Sequence, residues 1–518
     1  MTDDKANLPA KLARDGLLIG YSLEEEEHKP VIGFRFGDAV EDDDPGRDLL
    51  EPILHTGEGH LVTIARTGAG KGVGCIVPAL LRYQGPAIVI DPKGENYAVT
   101  ARRRRELGQT VHLIDPFGVT GEEGDTLNPL DIVDPHSDDA IDQAAELAEL
   151  LVTQRSTRDP FWDARALSLI ITMILFVASA RPPVLRNLEE MHYLLNQSGE
   201  DIKFTFKEMA NSPHAELRKG GSIFTTAEPK VWASILSTAQ SHTDFLRSHG
   251  AKKTLASSSI DLAAITRGDP VTIYLVLPPE KLESHGKLLR LWIGVLIGAI
   301  TRRRHRPSLP TLFILDEAAQ LGPLKQLRQA ITLLRGYGLR TWSFWQDLSQ
   351  LKLLYPQDWQ TMVNNCEVLQ AFGFANATVA RDGAALTGYP DWRALQDLEP
   401  EEMVLAIAGD QPVIARKPNY LFDPAFAGQF DENAYYAEAG PTALAERERW
   451  QLFRRYSRPG REGPASLRRA RDRPGQRAAP DDPTGPRKSA SEVLDEPDGP
   501  FHLSDDIPEP HRKGDNCD

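Results

Sequence analysis

Cysteine is scarce in this sequence: 518 residues contain only Cys75, Cys366 and Cys517. Three distant cysteines cannot form a disulfide framework or a cysteine-rich metal cluster, and their scarcity favours a reducing cytoplasm. The 13 histidines are scattered. We find no Ser-His-Asp order, no paired-carboxylate pattern typical of glycosidases and no His/Cys metal-ligand spacing. These absences argue against a secreted disulfide scaffold, a zinc protein and a triad hydrolase.

Long apolar runs and a signal peptide are also missing. The N-terminus lacks a basic segment followed by an apolar one. The most apolar runs, at 166–180 and 289–300, are shorter than the roughly 20 residues that cross a bilayer, and polar residues interrupt both. We therefore predict buried core helices, no transmembrane segment and a cytoplasmic location, with peripheral attachment to the inner membrane left open.

Positive charge is not in excess, since the formal net charge is −15. Overall charge therefore gives no sign of nucleic-acid binding, and any such surface would be local, such as a ring or channel within an acidic body. The hydrophobic fraction of 41% and charged fraction of 26% are ordinary for a globular protein. The length allows two or three domains.

One stretch of the sequence, residues 60–74, has the pattern of a phosphate-binding loop. An apolar run at 61–65 predicts a buried strand, a glycine-rich turn follows, and a helical pattern covers 73–81. Glycines let backbone N–H groups approach a triphosphate, and a lysine adds a point charge on the β and γ phosphates. The predicted nucleotide-binding residues are Thr67, Gly68, Ala69, Gly70, Lys71, Gly72 and Val73.

Two residues depart from the regular pattern G-x-x-x-x-G-K-[ST]. Ala65 replaces its first glycine, and Gly72 replaces the hydroxyl residue that normally ligates Mg²⁺. With that hydroxyl absent, more of the metal coordination is expected to fall on nucleotide oxygens, water and other side chains. A purely structural Gly-Lys turn is the alternative interpretation of this stretch alone.

The strongest support lies far downstream, where a four-residue apolar run ends in Asp316 and Glu317. This pattern is typical of a Walker B strand. Asp316 would hold Mg²⁺ directly or through water, and Glu317 would orient and deprotonate the attacking water. Two such motifs in one α/β domain predict an ATP site that uses Mg²⁺.

Two further residues are candidates for the same chemistry. Gln346 follows an apolar strand at 341–345, where its amide could sense the γ-phosphate or the attacking water. A simple strand-end glutamine is an equal alternative. Arg335 occupies a turn between a predicted helix and this strand, where it could reach a neighbouring subunit's nucleotide and stabilise transition-state charge. Without an assembly it would be a surface arginine.

The order of predicted elements indicates an α/β protein whose sheet is discontinuous in sequence. The predicted strands are 31–36, 61–65, 86–91, 110–115, 271–277, 311–317, 341–344, 367–372, 403–408 and 413–416. The predicted helices are 73–81, 95–107, 141–152, 161–180, 188–195, 231–246, 288–304 and one beginning at 325. We predict a lead-in at 1–50, a nucleotide-binding domain formed by 51–135 and 268–435, an inserted all-α domain at 136–267, and a disordered tail at 436–518.

Two of the predicted strands end in an Asp-Pro pair, at Asp91 and Asp115. The carboxyl edge of an open α/β sheet is where ligands bind, so either carboxylate could contribute to a site. The alternative is that Asp-Pro simply begins a turn.

Several ordered sequence blocks resemble the TraG-like coupling proteins of type IV secretion, which are conjugative DNA-transfer ATPases. The blocks span roughly residues 55–420 and lie at 70–74 (GKGVG), 91–95 (DPKGE), 159–162 (DPFW), 272–279 (TIYLVLPP), 315–317 (LDE) and 345–351 (WQDLSQL). That family often has Gly-Lys-Gly in its phosphate-binding loop. The resemblance implies a RecA-like motor domain with an all-α insertion, Lys71 as phosphate lysine, Gln346 as γ-phosphate sensor and Arg335 as trans arginine.

The resemblance also implies a function and an assembly. A homo-hexamer would hydrolyse ATP and pass single-stranded DNA, usually with a relaxase-type protein, towards a type IV secretion channel; a monomer without substrate is left open. Family members commonly begin with transmembrane helices, whereas none is predicted here, so the alternatives are docking on a separate membrane subunit and a soluble motor that works in mobilisation. The alternatives are a nucleotide-regulated substrate receptor with little turnover and a motor that pumps duplex DNA.

Overall fold

The structure is a computed structural model that describes residues 9, 12, 16–23, 50–152, 160–226 and 228–433. All of these residues belong to one compact unit. The predicted strand at 31–36 and the predicted disordered tail at 436–518 lie outside the described residues.

The described residues form one eleven-stranded sheet. Strands β3, β4, β6 and β7 are buried along their whole length, as expected for central strands covered on both faces. The strands are β1 (Leu17–Ser22), β2 (Pro52–His55), β3 (His60–Ala65), β4 (Ala87–Ile90), β5 (Thr110–Ile114), β6 (Val271–Leu275), β7 (Thr311–Leu315), β8 (Leu339–Trp345), β9 (Cys366–Phe372), β10 (Glu402–Ile407) and β11 (Val413–Arg416).

The order of strands across the sheet is β2-β1-β11-β10-β9-β3-β8-β7-β4-β6-β5. The seven strands from β9 to β5 run parallel, and the other four pair antiparallel. Ile64 pairs with Trp345, Leu315 pairs with Ser343, and Ile90 pairs with Leu315. This register brings the residues that follow β3, β4, β7 and β8 to one edge of the sheet.

Strands β1 and β2 were not predicted from the sequence. β1 is buried but contains Gly20, which breaks its apolar run, and it pairs with β11 almost 400 residues away in sequence. β2 is a short strand at the edge of the sheet that pairs only with β1 among the described strands. Long-range pairing of this kind leaves little local signal, because strand preference depends on neighbouring strands.

Sixteen α-helices lie in the described residues. They are α1 (Val77–Arg82), α2 (Glu95–Glu106), α3 (Ala140–Leu151), α4 (Phe161–Ala180), α5 (Leu188–Leu195), α6 (Gly199–Ala210), α7 (Ala215–Thr226), α8 (Pro229–Thr243), α9 (His249–Leu255), α10 (Leu262–Arg267), α11 (Pro279–Thr301), α12 (Lys325–Leu333), α13 (Leu348–Leu354), α14 (Trp359–Asn364), α15 (Ala377–Thr387) and α16 (Trp392–Gln396).

The predicted helix at 73–81 is divided in the structure. A π-helical turn, Gly72–Ile76, precedes α1. Pro78 lacks an N–H group and cannot donate to the carbonyl of residue 74, so a regular α-helix cannot run through this point, whereas proline is tolerated in the first turn of α1.

The segment between β5 and β6 contains helices α3 to α10 and no strand among its described residues. Its apolar side chains are continuous with those beneath the sheet, since Ile174 of α4, Trp292 of α11 and Ile273 of β6 belong to one buried cluster. The helical segment therefore packs on the sheet domain through α11. The boundary of an inserted domain at 136–267 stays a prediction.

Helix α4 has the bounds that the sequence predicted, 161–180. Its 20 residues make it the single described helix that is long and apolar enough to cross a bilayer. Most of this helix is buried within the protein, including Ile170, Met173 and Phe176. Such burial is typical of the core helix of a helical layer.

His60, the first residue of β3, is expected to make stability sensitive to acid. Its Nδ1 accepts a hydrogen bond from the backbone N–H of Thr341 at 3.0 Å, and burial, with smaller effects of Arg335 and Arg340, lowers its pKa to about 4. Its ordinary value is 6.5. The unfolded chain therefore binds a proton first on acidification, so stability falls as pH decreases from 6.5 towards 4.

We expect His60 to contribute a loss of about 2 kcal/mol of unfolding free energy between pH 7 and pH 5. His60→Asn keeps an acceptor near the Nδ1 position but does not titrate, so denaturant unfolding at both pH values should show a smaller difference than in the wild type. The exposed His136 provides the control, as His136→Asn should leave the difference unchanged. An equal pH dependence in wild type and His60→Asn would contradict this assignment.

Candidate functional site

The loop between β3 and the π-helical turn has the conformation of an open cradle. Gly68 and Gly70 have φ angles of 78° and 91°, which L side chains rarely adopt. The Ala69 N–H donates to the Arg66 carbonyl at 3.2 Å, and the Gly74 N–H donates to the Gly70 carbonyl at 2.8 Å. A Cβ atom at Gly68 would meet no atom within 4 Å. The predicted nucleotide-binding residues, 67–73, all lie in this loop and the turn that follows.

Three of the predicted catalytic residues lie together at this edge of the sheet. The Lys71 ammonium lies 3.3 Å from Glu317 Oε1, and Gln346 Nε2 donates to Glu317 Oε2 at 2.8 Å. These residues follow β3, β7 and β8, which are neighbours in the sheet. Lys71 is buried, so its interaction with Glu317 is only weakly screened by solvent. Both carboxylate oxygens of Glu317 therefore have a partner.

The backbone of Glu317 is held in an unfavourable conformation. Its φ and ψ are 58° and 49°. Among the described residues, Glu317 is the only non-glycine residue with a positive φ. A left-handed non-glycine residue costs roughly 1–2 kcal/mol. Such strain persists where surrounding contacts fix the residue, and it is concentrated at functional sites. The contacts with Lys71 and Gln346 provide that restraint here.

Asp316 follows β7 and is almost fully buried beside this group. Burial raises its pKa to about 6, the Lys71 charge opposes that rise, and the neighbouring Glu317 adds to it. In the described residues, no group of three or more His, Cys, Asp or Glu side chains could hold a metal ion. Any Mg²⁺ held by Asp316 would therefore need further ligands from nucleotide or water.

The two Asp-Pro carboxylates serve as turn anchors. Asp91 accepts a hydrogen bond from the Tyr97 N–H at 2.8 Å, at the start of α2. Asp115 accepts from the backbone N–H groups of Val119 and Thr120 at 3.0 and 2.8 Å. Burial also raises the pKa of Asp91 to about 7, and the charge of Asp316 contributes. These hydrogen bonds support the turn interpretation of both positions.

Arg335 is not brought together with the other predicted site residues. It lies in the turn Leu334–Tyr337, which precedes β8 and therefore occupies the amino edge of the parallel strands, opposite Lys71. Its side chain is 55% exposed and contacts Glu367 Oε2 at 3.4 Å. Glu367, which no sequence pattern indicated, also accepts a hydrogen bond from the Gly59 N–H at 2.8 Å.

Lys417 is a second residue at the site that no sequence motif predicted. It follows β11, is buried, and donates from Nζ to the Ala69 carbonyl of the cradle at 2.8 Å. Burial lowers its pKa to about 8. The only sequence signal is a basic residue directly after a strand. Nothing local predicts a contact that spans 348 residues of chain.

The model of the family described as "Type IV secretory system Conjugative DNA transfer" matches residues 12–382. This chain belongs to that family. The match covers most of the sheet, the helical segment and Lys71, Asp316, Glu317 and Gln346. It confirms the resemblance to TraG-like coupling proteins that the sequence blocks predicted.

Curated relatives agree with the family match. The chain is 27% identical over 362 residues to the conjugal transfer protein TraG of Escherichia coli, covering 65% of this chain and 56% of TraG. It is 26% identical over 410 residues to the protein VirD4 of Rhizobium radiobacter, covering 74% of this chain and 52% of VirD4. The chain thus spans about half the length of these coupling-protein relatives.

Solved structures of the plasmid coupling protein TrwB share the fold. The TrwB complex with ADP and Mg²⁺ has a TM-score of 0.56 at 16% identity, and the match covers 71% of this chain and 87% of TrwB. The complex with the GTP analogue GDPNP also has a TM-score of 0.56 at 16% identity and covers 72% of this chain and 88% of TrwB. This likeness confirms the α/β, RecA-like P-loop fold that was predicted for this chain.

Proposed function

We propose that this chain is an ATP-hydrolysing coupling protein that recruits and moves single-stranded DNA, with or without a relaxase-type protein, towards a type IV secretion channel. The observation that carries the proposal is the contact of Lys71 with Glu317 and of Glu317 with Gln346, at one sheet edge of a conjugative-transfer family member. A cation, an acid and an amide placed together suit phosphoryl transfer, which depends on positioning and charge stabilisation.

The residues of the cradle fit a bound nucleotide. A Cβ atom placed at Gly68 or Gly72 would have no other atom within 4 Å. Phosphate oxygens could therefore approach the backbone there without meeting a side chain. The Lys71 ammonium already contacts a carboxylate, which a phosphate could replace as its anionic partner. Asp316, at the end of β7 on the same edge of the sheet, would hold Mg²⁺. ATP supplies the transferable phosphoryl group, and Mg²⁺ neutralises its charge when both are bound.

Each side chain then has a distinct part in hydrolysis. Lys71 binds the phosphate oxygens and stabilises their increasing negative charge. A Glu317 carboxylate oxygen accepts a proton from the attacking water, which makes Glu317 the general base. Gln346, whose Nε2 donates to Glu317 Oε2, orients that carboxylate and contacts the same water or the γ-phosphate. The strained backbone of Glu317 fixes the direction of its side chain before substrate binds.

Arg335 is proposed to act across a subunit boundary in a homo-hexamer. Its exposure and its place at the edge opposite Lys71 rule out a contact with the nucleotide of its own chain, but they suit a contact with a neighbour's. Arg335→Ala should lower turnover by about 10³-fold, since a trans arginine contributes 10³–10⁵, while nucleotide affinity should change little. Steady-state phosphate release and nucleotide titration measure the two quantities.

Arg328 offers a matched control for Arg335. It is an arginine on α12 with a 40% exposed side chain and an ion pair with Asp358 at 3.1 Å. Arg328→Ala should retain the wild-type turnover. If Arg335→Ala and Arg328→Ala hydrolyse ATP equally fast, the trans role of Arg335 is wrong.

The partners and the location belong to the same proposal. The partners would be single-stranded DNA, a relaxase-type protein, and a secretion channel or separate membrane subunit. The chain would work on the cytoplasmic side of the inner membrane. Family membership and the likeness to TraG and VirD4 support these expectations.

The proposal is tested by the rate of ATP hydrolysis with no DNA, single-stranded DNA and duplex DNA, together with a mass measurement of the assembly. We expect stimulation by single-stranded DNA and a mass near that of a hexamer under the stimulating conditions. Stronger stimulation by duplex DNA would favour a duplex pump. Nucleotide binding without turnover in every condition would favour a nucleotide-regulated receptor and overturn the motor assignment.

A further inference from the structure

The segment after β11 returns to the phosphate cradle and packs against it. Lys417 Nζ donates to the Ala69 carbonyl at 2.8 Å, and the Tyr420 N–H donates to the Val73 carbonyl at 3.4 Å. A Cβ atom at Gly74 would lie 3.1 Å from the carbonyl oxygen of Pro418, so only glycine leaves comfortable room for this approach. The segment 417–420 thus contacts the loop and the π-helical turn on both sides of Lys71.

The contact of Lys417 with the Ala69 carbonyl affects the orientation of the next backbone N–H group, that of Gly70. In a trans peptide unit the carbonyl and the following N–H point in opposite directions. When Lys417 holds the Ala69 oxygen on its own side, the Gly70 N–H is directed to the other side. Gly70 has a φ of 91°, and glycine permits many backbone orientations, so the Ala69–Gly70 peptide has little intrinsic resistance to rotation. The lysine supplies that resistance.

Lys417 is itself firmly held. Its backbone N–H donates to the Glu401 carbonyl at 2.7 Å, and its ammonium lies 4.0 Å from the centre of the Phe372 ring. The adjacent Arg416 is engaged with Asp423 at 2.8 Å. Burying an ammonium costs stability unless its contacts offset the cost. Methionine has a similar length and no charge, so it would remove this desolvation cost together with the hydrogen bond to the Ala69 carbonyl.

We propose that Lys417 is a positioning residue for the nucleotide phosphates, which fixes the Ala69–Gly70 peptide so that the Gly70 N–H points at a bound phosphate. The inference rests on the proposed function, because it requires that the cradle binds nucleotide. Lys417 acts through the loop, by its hydrogen bond to the Ala69 carbonyl. It links the antiparallel β10–β11 part of the sheet to the phosphate site.

The test compares the Kd of ADP for the wild type, Lys417→Met and Lys417→Arg, with the thermal midpoint of each protein. Lys417→Met removes the donor, and we expect an approximately tenfold weaker Kd, because a hydrogen bond to a charged group is lost or misdirected. Its thermal midpoint should be maintained or raised. Lys417→Arg keeps a donor and should restore most of the affinity.

Lys352 is the matched control for Lys417. It is an exposed lysine on α13 whose ammonium lies 5.1 Å from the centre of the Trp359 ring, and its contacts do not include the cradle. Lys352→Met should leave the ADP Kd unchanged. A second variant that also lacks a donor, Lys417→Leu, provides the affinity comparison if Lys417→Met does not fold.

The outcomes separate this inference from the proposed function. If the wild type binds no ADP, the nucleotide site itself is wrong. If the wild type binds ADP and Lys417→Met binds it equally well, the positioning role of Lys417 is wrong while the site stands. If Lys417→Met and Lys417→Leu both fail to fold, or if affinity and thermal midpoint fall together without rescue by arginine, Lys417 is a structural residue and the inference is overturned.

Discussion

Lys71→Ala is expected to lower ATP turnover at least about 100-fold, because it removes the cation that neutralises phosphate charge in a buried site. Lys71 is 8% exposed, and its ammonium lies 3.3 Å from Glu317. Because little water reaches this position, solvent cannot compensate for the loss of the positive charge. The substitution also releases Glu317 from one of its two restraints. Phosphate release from the purified variant, at saturating ATP and with single-stranded DNA, measures the effect.

Lys93 is the control for this experiment. It follows β4 in another turn at the same edge of the sheet, but its side chain is 54% exposed and lies 3.7 Å from Glu95. Lys93→Ala should keep turnover within a factor of about two, since exposed pairs contribute little. Turnover in Lys71→Ala equal to that of Lys93→Ala would show that the cradle does not bind the reacting nucleotide.

Glu317→Gln is expected to lower kcat by roughly 10²–10⁴-fold, the contribution of a positioned general base. Glutamine retains the shape of the side chain and can still accept a hydrogen bond from Gln346, but it cannot take a proton from water. The affinity for nucleotide should be retained. Single-turnover hydrolysis and nucleotide titration on the same preparation separate the two effects.

A second substitution at this position separates strain from chemistry. Glu317→Gly and Glu317→Ala both remove the carboxylate partner of Lys71, so turnover should be lost in both, but only glycine relieves the left-handed backbone, and Glu317→Gly should therefore be more stable than Glu317→Ala by about 1 kcal/mol. Denaturant unfolding gives the stability. A Glu317→Gln variant with wild-type kcat would contradict the assignment of Glu317 as general base.

The central part of the fold was predictable because its signals are local. Strands β3, β4, β7 and β8 are apolar runs that end in polar residues, and parallel strands bring such ends to one edge of the sheet. Thus Lys71, Asp316, Glu317 and Gln346, separated by up to 275 positions in the printed sequence, could be expected at one site. The resemblance to the TraG-like coupling proteins predicted the same four residues as a nucleotide site.

The remaining features depend on contacts that no local pattern encodes. The pairing of β1 with β11 and the reach of Lys417 to Ala69 both join distant parts of the chain. Helix α11 begins nine residues before its predicted start at 288, because its first turns are charged and carry little apolar periodicity. The left-handed backbone of Glu317 has no sequence signature, since strain is imposed by the surrounding fold.

The most direct test of the central claim is the rate of phosphate release from ATP by the purified chain with Mg²⁺ and single-stranded DNA, measured beside Lys71→Ala. We expect sustained turnover, stimulated by the single strand, that falls at least about 100-fold in the variant. Nucleotide binding without turnover, in a preparation that has assembled with DNA, or equal turnover by wild type and Lys71→Ala, would contradict the claim that this sheet edge is the hydrolytic site of a motor.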